Sequence, residues 1–373
     1  MNSIYITMNP KIDNVSEEAG LLRFTLSGVN ISLANAVRRI ILNDIDTVVF
    51  RTETHDVNQC KIEINTCRQH NEIVKQRLSC IPIHSTDLAH LPGNYYLEVD
   101  VANTTDHIIY VTTEQFVIKD KRTHEPLPRT EVTKIFPADT KTGAFIDFVR
   151  LRPQIGNTPG EQIKLTCEFS VATAGTSSMF NVVSKCAYAY TPDTKKSAAA
   201  WDKIESQKRS KGATVAEIDY MRRDFNAIDA QRYYVEESFD FVVGTLGVFA
   251  NADIVKKACK VMEHKLRDTI TKIETGAFIV EPSETTMDNC YNIVLEHEDY
   301  TLGKAIEYYL YDRYFNGDKR LTFCAFKKAH PHDDYSIIQV AYRDNVSVAN
   351  ITQDVATACA ELVGVYTAIF GMM

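Results

Sequence analysis

LRFTLSGVNISLANAVRRIILNDI, residues 22–45, begins as a strand and ends as a helix. Leu22, Phe24 and Leu26 alternate with Arg23, Thr25 and Ser27, the period of two that a half-buried strand requires. Beyond Gly28, the residues Leu33, Ala36, Val37, Ile40 and Ile41 fall at helical spacing. Ser32 is the expected N-cap, and the opposite face carries Asn35, Arg38 and Arg39. The same pattern returns near the other end. Tyr291, Ile293 and Leu295 alternate, and TLGKAIEYYLYDRYF, residues 301–315, puts Leu302, Ala305, Ile306, Tyr309 and Leu310 on one face. Eight apolar positions of the first stretch pair with eight of the second at one constant separation, 269 positions (291 less 22).

A second parallel supports a duplication. Helical stretches close each half, at residues 252–271 and 347–370. The first aligns Ile254, Ala258, Val261, Met262 and Leu266; the second aligns Ile351, Val355, Cys359, Leu362 and Val363. Each half therefore reads as strand, helix, further strands and a long closing helix. Two such units can bury their apolar helix faces against each other, as a two-fold dimer does. The expected fold class is α+β: two pseudo-symmetric domains packed through their helices, through Leu33, Val37, Ile40 and Ile41 from one and Leu302, Ile306, Tyr309 and Leu310 from the other.

The first half is interrupted. Residues 51–150 alternate strand-like runs with polar turns and form an expected, mainly β insertion domain. IKLTCEFSV, residues 163–171, is expected to return the chain to the first core, so that residues 1–50 and 151–273 make one domain. Residues 193–224 carry eight basic and six acidic side chains. A basic contact for nucleic acid or a partner is one reading, but the near balance favours a solvated helical excursion. Residues 274–289, polar and holding Gly276 and Pro282, are the expected linker to a second domain at 290–373.

Composition bounds the function. Of 373 residues, 45% are hydrophobic and 24% charged, which suits a globular chain rather than a disordered one. The formal net charge of −8 argues against a surface that grips phosphate throughout, so contact with DNA or RNA is expected to be indirect. The N-terminal residues 1–9 lack a signal-peptide pattern, and no membrane span is expected. Nine scattered cysteines fit buried free thiols in a reducing, intracellular setting.

No catalytic constellation emerges. GxxxxGK[ST], GxGxxG, GxSxG and HExxH are all absent. Asp333-Asp334, after His330-Pro331-His332, is the nearest approach to paired metal carboxylates, yet adjacent residues on an extended chain point apart. Cys60, Cys67 and Cys80 lack the close pairing of zinc knuckles and read as independent thiols. No cofactor and no metal is expected.

With these residues in view, the sequence resembles the α-like subunits of multisubunit DNA-directed RNA polymerases. LSGVNISLANAVRRIILNDIDT resembles their first strand and helix, QRLSCIPI (residues 76–83) their Arg-Leu-x-x-Ile-Pro signature, and LRP with GEQIKL (residues 151–165) the return into the dimerisation domain. Residues 239–266 resemble the closing helix of the larger subunit. LEHEDYTLGKAIEYYL (residues 295–310) is similar to the smaller partner, with Lys304 where Asn is usual, and TFCAFKKAHPHDD to its following strand and turn.

The resemblance implies a non-catalytic assembly platform that recruits the second-largest catalytic subunit and small adaptor subunits. It implies Asn35, Arg38, Arg39 and Arg77 as partner-facing residues, the adjacent arginines suiting a carboxylate-bearing surface better than a merely solvated one. The cysteine-rich metal site of many larger subunits is lacking, and neither a bacterial-type DNA-binding domain nor a homo-oligomer is expected. Both partners in one chain is similar to the arrangement in large cytoplasmic DNA viruses, which implies host cytoplasm, viral factories and virions. A protein-binding scaffold outside transcription and a small-molecule enzyme with a dispersed site are the competing readings.

Overall fold

The computed structural model describes residues 8–373. Residues 1–7, which belong to the segment tested for a signal peptide and to the expected first domain, lie outside the described residues. The chain divides into two compact units. One gathers the chain up to Ile40 with Cys186–Val243 and Ala258–Met373; the other gathers Ile41–Lys185 with Gly244–Lys257.

In chain order, β1 (Lys11–Glu18) and β2 (Leu21–Ser27) lead into α1 (Ile31–Asn43). Then come β3 (Thr47–Val49), β4 (Cys60–Asn65), α2 (Asn71–Ser79), β5 (Tyr95–Ala102), β6 (Ile109–Thr112) and β7 (Val117–Asp120). They are followed by α3 (Arg129–Ile135), β8 (Asp147–Leu151), β9 (Gln162–Glu168) and β10 (Ser170–Ala172). The next stretch holds β11 (Val183–Pro192), α4 (Thr194–Ser210), α5 (Val215–Ala227), β12 (Tyr234–Thr245) and α6 (Asn251–Glu274). Last are β13 (Val280–Pro282), β14 (Cys290–Glu296), α7 (Tyr300–Leu310), β15 (Leu321–Lys327), β16 (Tyr335–Tyr342) and α8 (Val348–Met372).

The duplication is visible in the topology. One sheet has the strand order β1-β2-β12-β11 and the other β13-β14-β16-β15. Numbering the strands within each half gives the same order twice: first, second, fourth, third. A helix follows the second strand (α1, α7), and a long helix follows the fourth (α6, α8).

The backbone repeats as well. Gly20 and Asn289, and again Gly28 and His297, share a positive φ and the separation of 269 seen in the sequence. The second pair sits where each strand turns into its helix. There, Gly28 N–H donates to Glu237 O and His297 N–H to Asp334 O, so each turn is tied to the start of its own fourth strand or just before it. Burial of the closing helices follows suit: residues 251–260 of α6 and 351–360 of α8 bury the same positions, 100 apart. Val255, Ala258 and Cys259 thus match Val355, Ala358 and Cys359, all essentially unexposed.

Several expectations need correction. The capping oxygen of α1 belongs to Asn30, not Ser32: Asn30 Oδ1 accepts from the Ser32 N–H at 2.9 Å. Strand β9, within the segment expected to return to the first core, instead pairs with β4 and β5 in the other unit's sheet, β4-β9-β5-β7. The physical reason is its alternation: Ile163, Leu165 and Cys167 complete the core built by Leu97, Val99, Phe116, Ile118 and Phe148. Around Phe116 the rings of Phe136 and Phe148 stand edge-on, with centroids 5.2 and 5.5 Å away, the arrangement ring quadrupoles favour.

The expected linker is partly structured too. α6 runs to Glu274, and Val280–Pro282 pairs antiparallel with β14 as an edge strand. Residues 193–224 fall in the helices α4 and α5, which close over Trp201, Ile218 and Phe225. Both helices carry their own caps, Asp193 on Lys196 N–H and a Thr214–Glu217 capping box. A private apolar cluster makes this a folded hairpin rather than only a solvated excursion.

Finally, α8 is long and apolar enough to cross a membrane by length and composition, contrary to the expectation that no run is. Its Ile351, Val355, Leu362 and Tyr366 are nevertheless fully buried within the protein, so one face of the helix packs against the core.

Candidate partner interface

The geometry begins at the N-terminus of α7. Asp299 is its N-cap, and Asp299 Oδ1 accepts from the Thr301 N–H at 2.8 Å. Asp299 lies 269 positions after Asn30, so equivalent residues cap equivalent helices. The other carboxylate oxygen accepts from Arg39 Nη2, and Arg39 Nε donates to Thr301 Oγ1 at 2.9 Å. Nearby, Lys265 of α6 donates to Glu298 at 3.1 Å. Both cations come from the first half and both acids from the second, so charge joins the two halves of one unit.

Burial alone would raise the Asp299 carboxyl, but the Thr301 backbone and hydroxyl hydrogen bonds and the Arg39 guanidinium outweigh it and hold its pKa below the usual carboxylate range. A carboxyl whose folded pKa is depressed adds stability that is present above its unfolded pKa and lost as pH falls through the folded one. The urea midpoints of the native chain and of Asp299→Asn are therefore expected to differ by a constant amount at neutral pH and to converge below about pH 4. A pH-independent difference would show that the charge is irrelevant.

Arg39, expected to face a partner, is thus engaged within the chain. Arg38, the residue before it, and Asn35, one turn back, are half-buried on α1, and Arg38 Nε donates to Asn35 Oδ1 at 3.0 Å. Arg38 sits beside β11. Burial pushes the Cys186 thiol up to about 12 and raises the Tyr188 hydroxyl, and the positive charge of Arg38 works against both. Among the described residues Arg38 has no carboxylate partner, the contrast with Arg39 that matters most. Arg77 is in the other unit, where its Nε and Nη2 donate to the carbonyls of Phe148 (2.6 Å) and Asp147 (2.8 Å) and fasten α2 to β8.

All eight residues expected at the helix-to-helix interface, Leu33, Val37, Ile40 and Ile41 with Leu302, Ile306, Tyr309 and Leu310, are buried. Sequence reasoning missed Tyr366 of α8. It is fully buried, its hydroxyl donates to Leu33 O of α1 at 3.3 Å, and the Cys259 sulfur of α6 is close enough to act on it electrostatically. The bond ties the closing helix of the second half to the first helix of the first. The signal was faint, since an aromatic within an apolar helix looks like any core residue.

Gly303 was also missed as a packing position. A Cβ there would lie 2.0 Å from Phe326 Cε2, so the small residue lets α7 approach β15. Among the described residues no group of three His, Cys, Asp or Glu side chains is placed to hold a metal ion.

Residues 23–266, more than half of the chain, match the sequence model of the RNA polymerase Rpb3/Rpb11 dimerisation domain. The chain belongs to this family. It is also similar to a conjugation stage-specific protein of Tetrahymena thermophila, 24% identical over 190 residues, which make up 46% of this chain and 56% of that protein. The chain thus spans little more than half the length of that relative. The Rpb3/Rpb11 match ends within α6, before the second half begins. For the second half, kinship rests on the internal repeat.

Proposed function

We propose that this Rpb3/Rpb11-family chain is a non-catalytic assembly platform of a DNA-directed RNA polymerase, with a larger and a smaller α-like half joined in one polypeptide. The observation that carries the reading is the repeated half: one strand order, one pair of helix positions and one set of positive-φ turns, each present twice. A family built to dimerise here finds its partner within the same chain, so the interface that would recruit a second copy is already filled.

The remaining surface is left for other subunits. Arg38, charged, half-buried and without an acid partner among the described residues, is the residue best suited to dock on a carboxylate of the second-largest catalytic subunit, with Asn35 holding its guanidinium in place. Small adaptor subunits complete the platform, and nucleic acid is met only through the assembled enzyme. The fused arrangement favours a viral polymerase working in host cytoplasm and packaged in virions.

Affinity purification of the tagged chain from cells that make it, followed by mass spectrometry, is expected to return two very large subunits in equimolar amount. Recovery of a soluble monomer alone would leave the competing reading, a scaffold outside transcription. Arg38→Glu is expected to abolish recovery of the large subunit while leaving the chain folded, at a stability loss of about 1 kcal/mol, the centre of the range for single changes. Arg39→Glu should instead destabilise the chain itself, because it sets a second carboxylate against Asp299. Normal assembly of the Arg38 variant would remove that residue from the interface.

A further inference from the structure

Cys60 and Cys167, too far apart in sequence to suggest any relation, are brought face to face. They are directly opposed partners in the antiparallel pairing of β4 with β9, and both side chains belong to the same core cluster. The neighbouring pair fixes the type of site: Glu168 N–H donates to Gln59 O at 3.3 Å, so Gln59 and Glu168 are the hydrogen-bonded pair. Cys60 and Cys167 therefore occupy the adjacent non-hydrogen-bonded position. Opposed Cα atoms there lie about 4.5 Å apart, with side chains close. That distance falls inside the range of roughly 4.4–6.8 Å that a disulfide spans. Both thiols are free.

We propose that Cys60 and Cys167 are a reversible redox pair whose disulfide staples the first strand of this sheet to the next. The two thiols are hydrogen-bonded to each other, and burial alone raises both. Cys60 lies on an edge strand and Cys167 on the strand inside it, so an oxidant arriving from solvent meets Cys60 first.

With hydrogen peroxide as oxidant, the Cys60 sulfur attacks one peroxide oxygen, the O–O bond breaks, and a sulfenic acid forms with loss of one water. The Cys167 sulfur then attacks the sulfenic sulfur, its proton leaving with the hydroxyl as a second water. Two thiols and one peroxide give one disulfide and two waters, the two electrons passing from sulfur to oxygen.

Access comes from position. β4 is the edge strand of the β4-β9-β5-β7 sheet, and edge strands open locally at lower cost than central ones. The product closes a loop on the order of 100 residues that holds α2 to β8 of this unit, the long-loop case in which a cross-link restricts the unfolded chain most.

The test uses the full-length chain, reduced, then treated with hydrogen peroxide and weighed intact, with iodoacetamide added only afterwards for peptide mapping. The expected result is a mass 2 Da lower, with a peptide linking Cys60 to Cys167 that dithiothreitol releases. The oxidised chain should melt about 5–10 °C higher. Cys167→Ala, which keeps the strand apolar, should lose both the link and the shift. Oxidation confined to the exposed Cys80, or a Cys60 that ends as sulfinic acid without the link, would overturn the pairing.

Discussion

Tyr366→Ala is expected to lower the stability of the chain by about 3–5 kcal/mol, the cost of removing a large aromatic from a core that closes only partly over the gap. The side chain is fully buried, and its hydroxyl ties α8 to α1. Tyr366→Phe separates the contributions. It keeps the ring and removes only the hydroxyl bonded to Leu33 O, and should cost about 1 kcal/mol, somewhat more if that carbonyl is left without a partner. Urea denaturation of the two variants would measure both. If alanine cost no more than phenylalanine, the ring would not be the keystone of the helix layer. Because the joined halves come from one chain, this loss should be independent of protein concentration, unlike the same lesion in a dissociable dimer.

Gly28→Ala should produce the next largest effect. Gly28 has φ +72°, a region that costs other residues about 1–3 kcal/mol, and an added Cβ would lie 2.1 Å from the Asn9 carbonyl oxygen. Strain and overlap together predict a loss of about 2–4 kcal/mol. The equivalent turn of the second half supplies an internal control. His297 holds φ +57° with a side chain, so His297→Gly should be neutral or slightly stabilising. Thermal melts of the two variants should therefore move in different directions or at least by very different amounts. Equal destabilisation by both would mean that the side chain of His297, not its backbone angle, is what the turn needs.

Much of this protein is legible in the linear chain because the relevant signals are local. A strand declares itself by a period of two and a helix by a period near 3.6, since burial of one face imposes each. The repeated spacing of 269 needed nothing beyond those two periods, and the structure extends it to sheet order and backbone angles. Strand pairing across long separations is another matter. Residues 163–171 carry the alternation of a strand, but alternation says only that one face is buried, not against which core. The assignment of β9 to β4 and β5 was decided by which edge it could complete.

The same limit governs the candidate interface. Arg38 and Arg39 are neighbours in sequence and look interchangeable. Successive residues on a helix differ by about 100° in direction, and that rotation sends Arg39 to the Asp299 cap while Arg38 reaches Asn35. Arg77 likewise looked free until two backbone carbonyls of β8 came within reach. That this chain is two copies of one pattern, with arginines on the first helix, can be read from the linear chain, because period and spacing are properties of residue order alone. That Arg39 meets an acid, and that Cys167 lies opposite Cys60, depends on packing, because side chains distant in sequence acquire a separation in space only when the sheets and helices have come together.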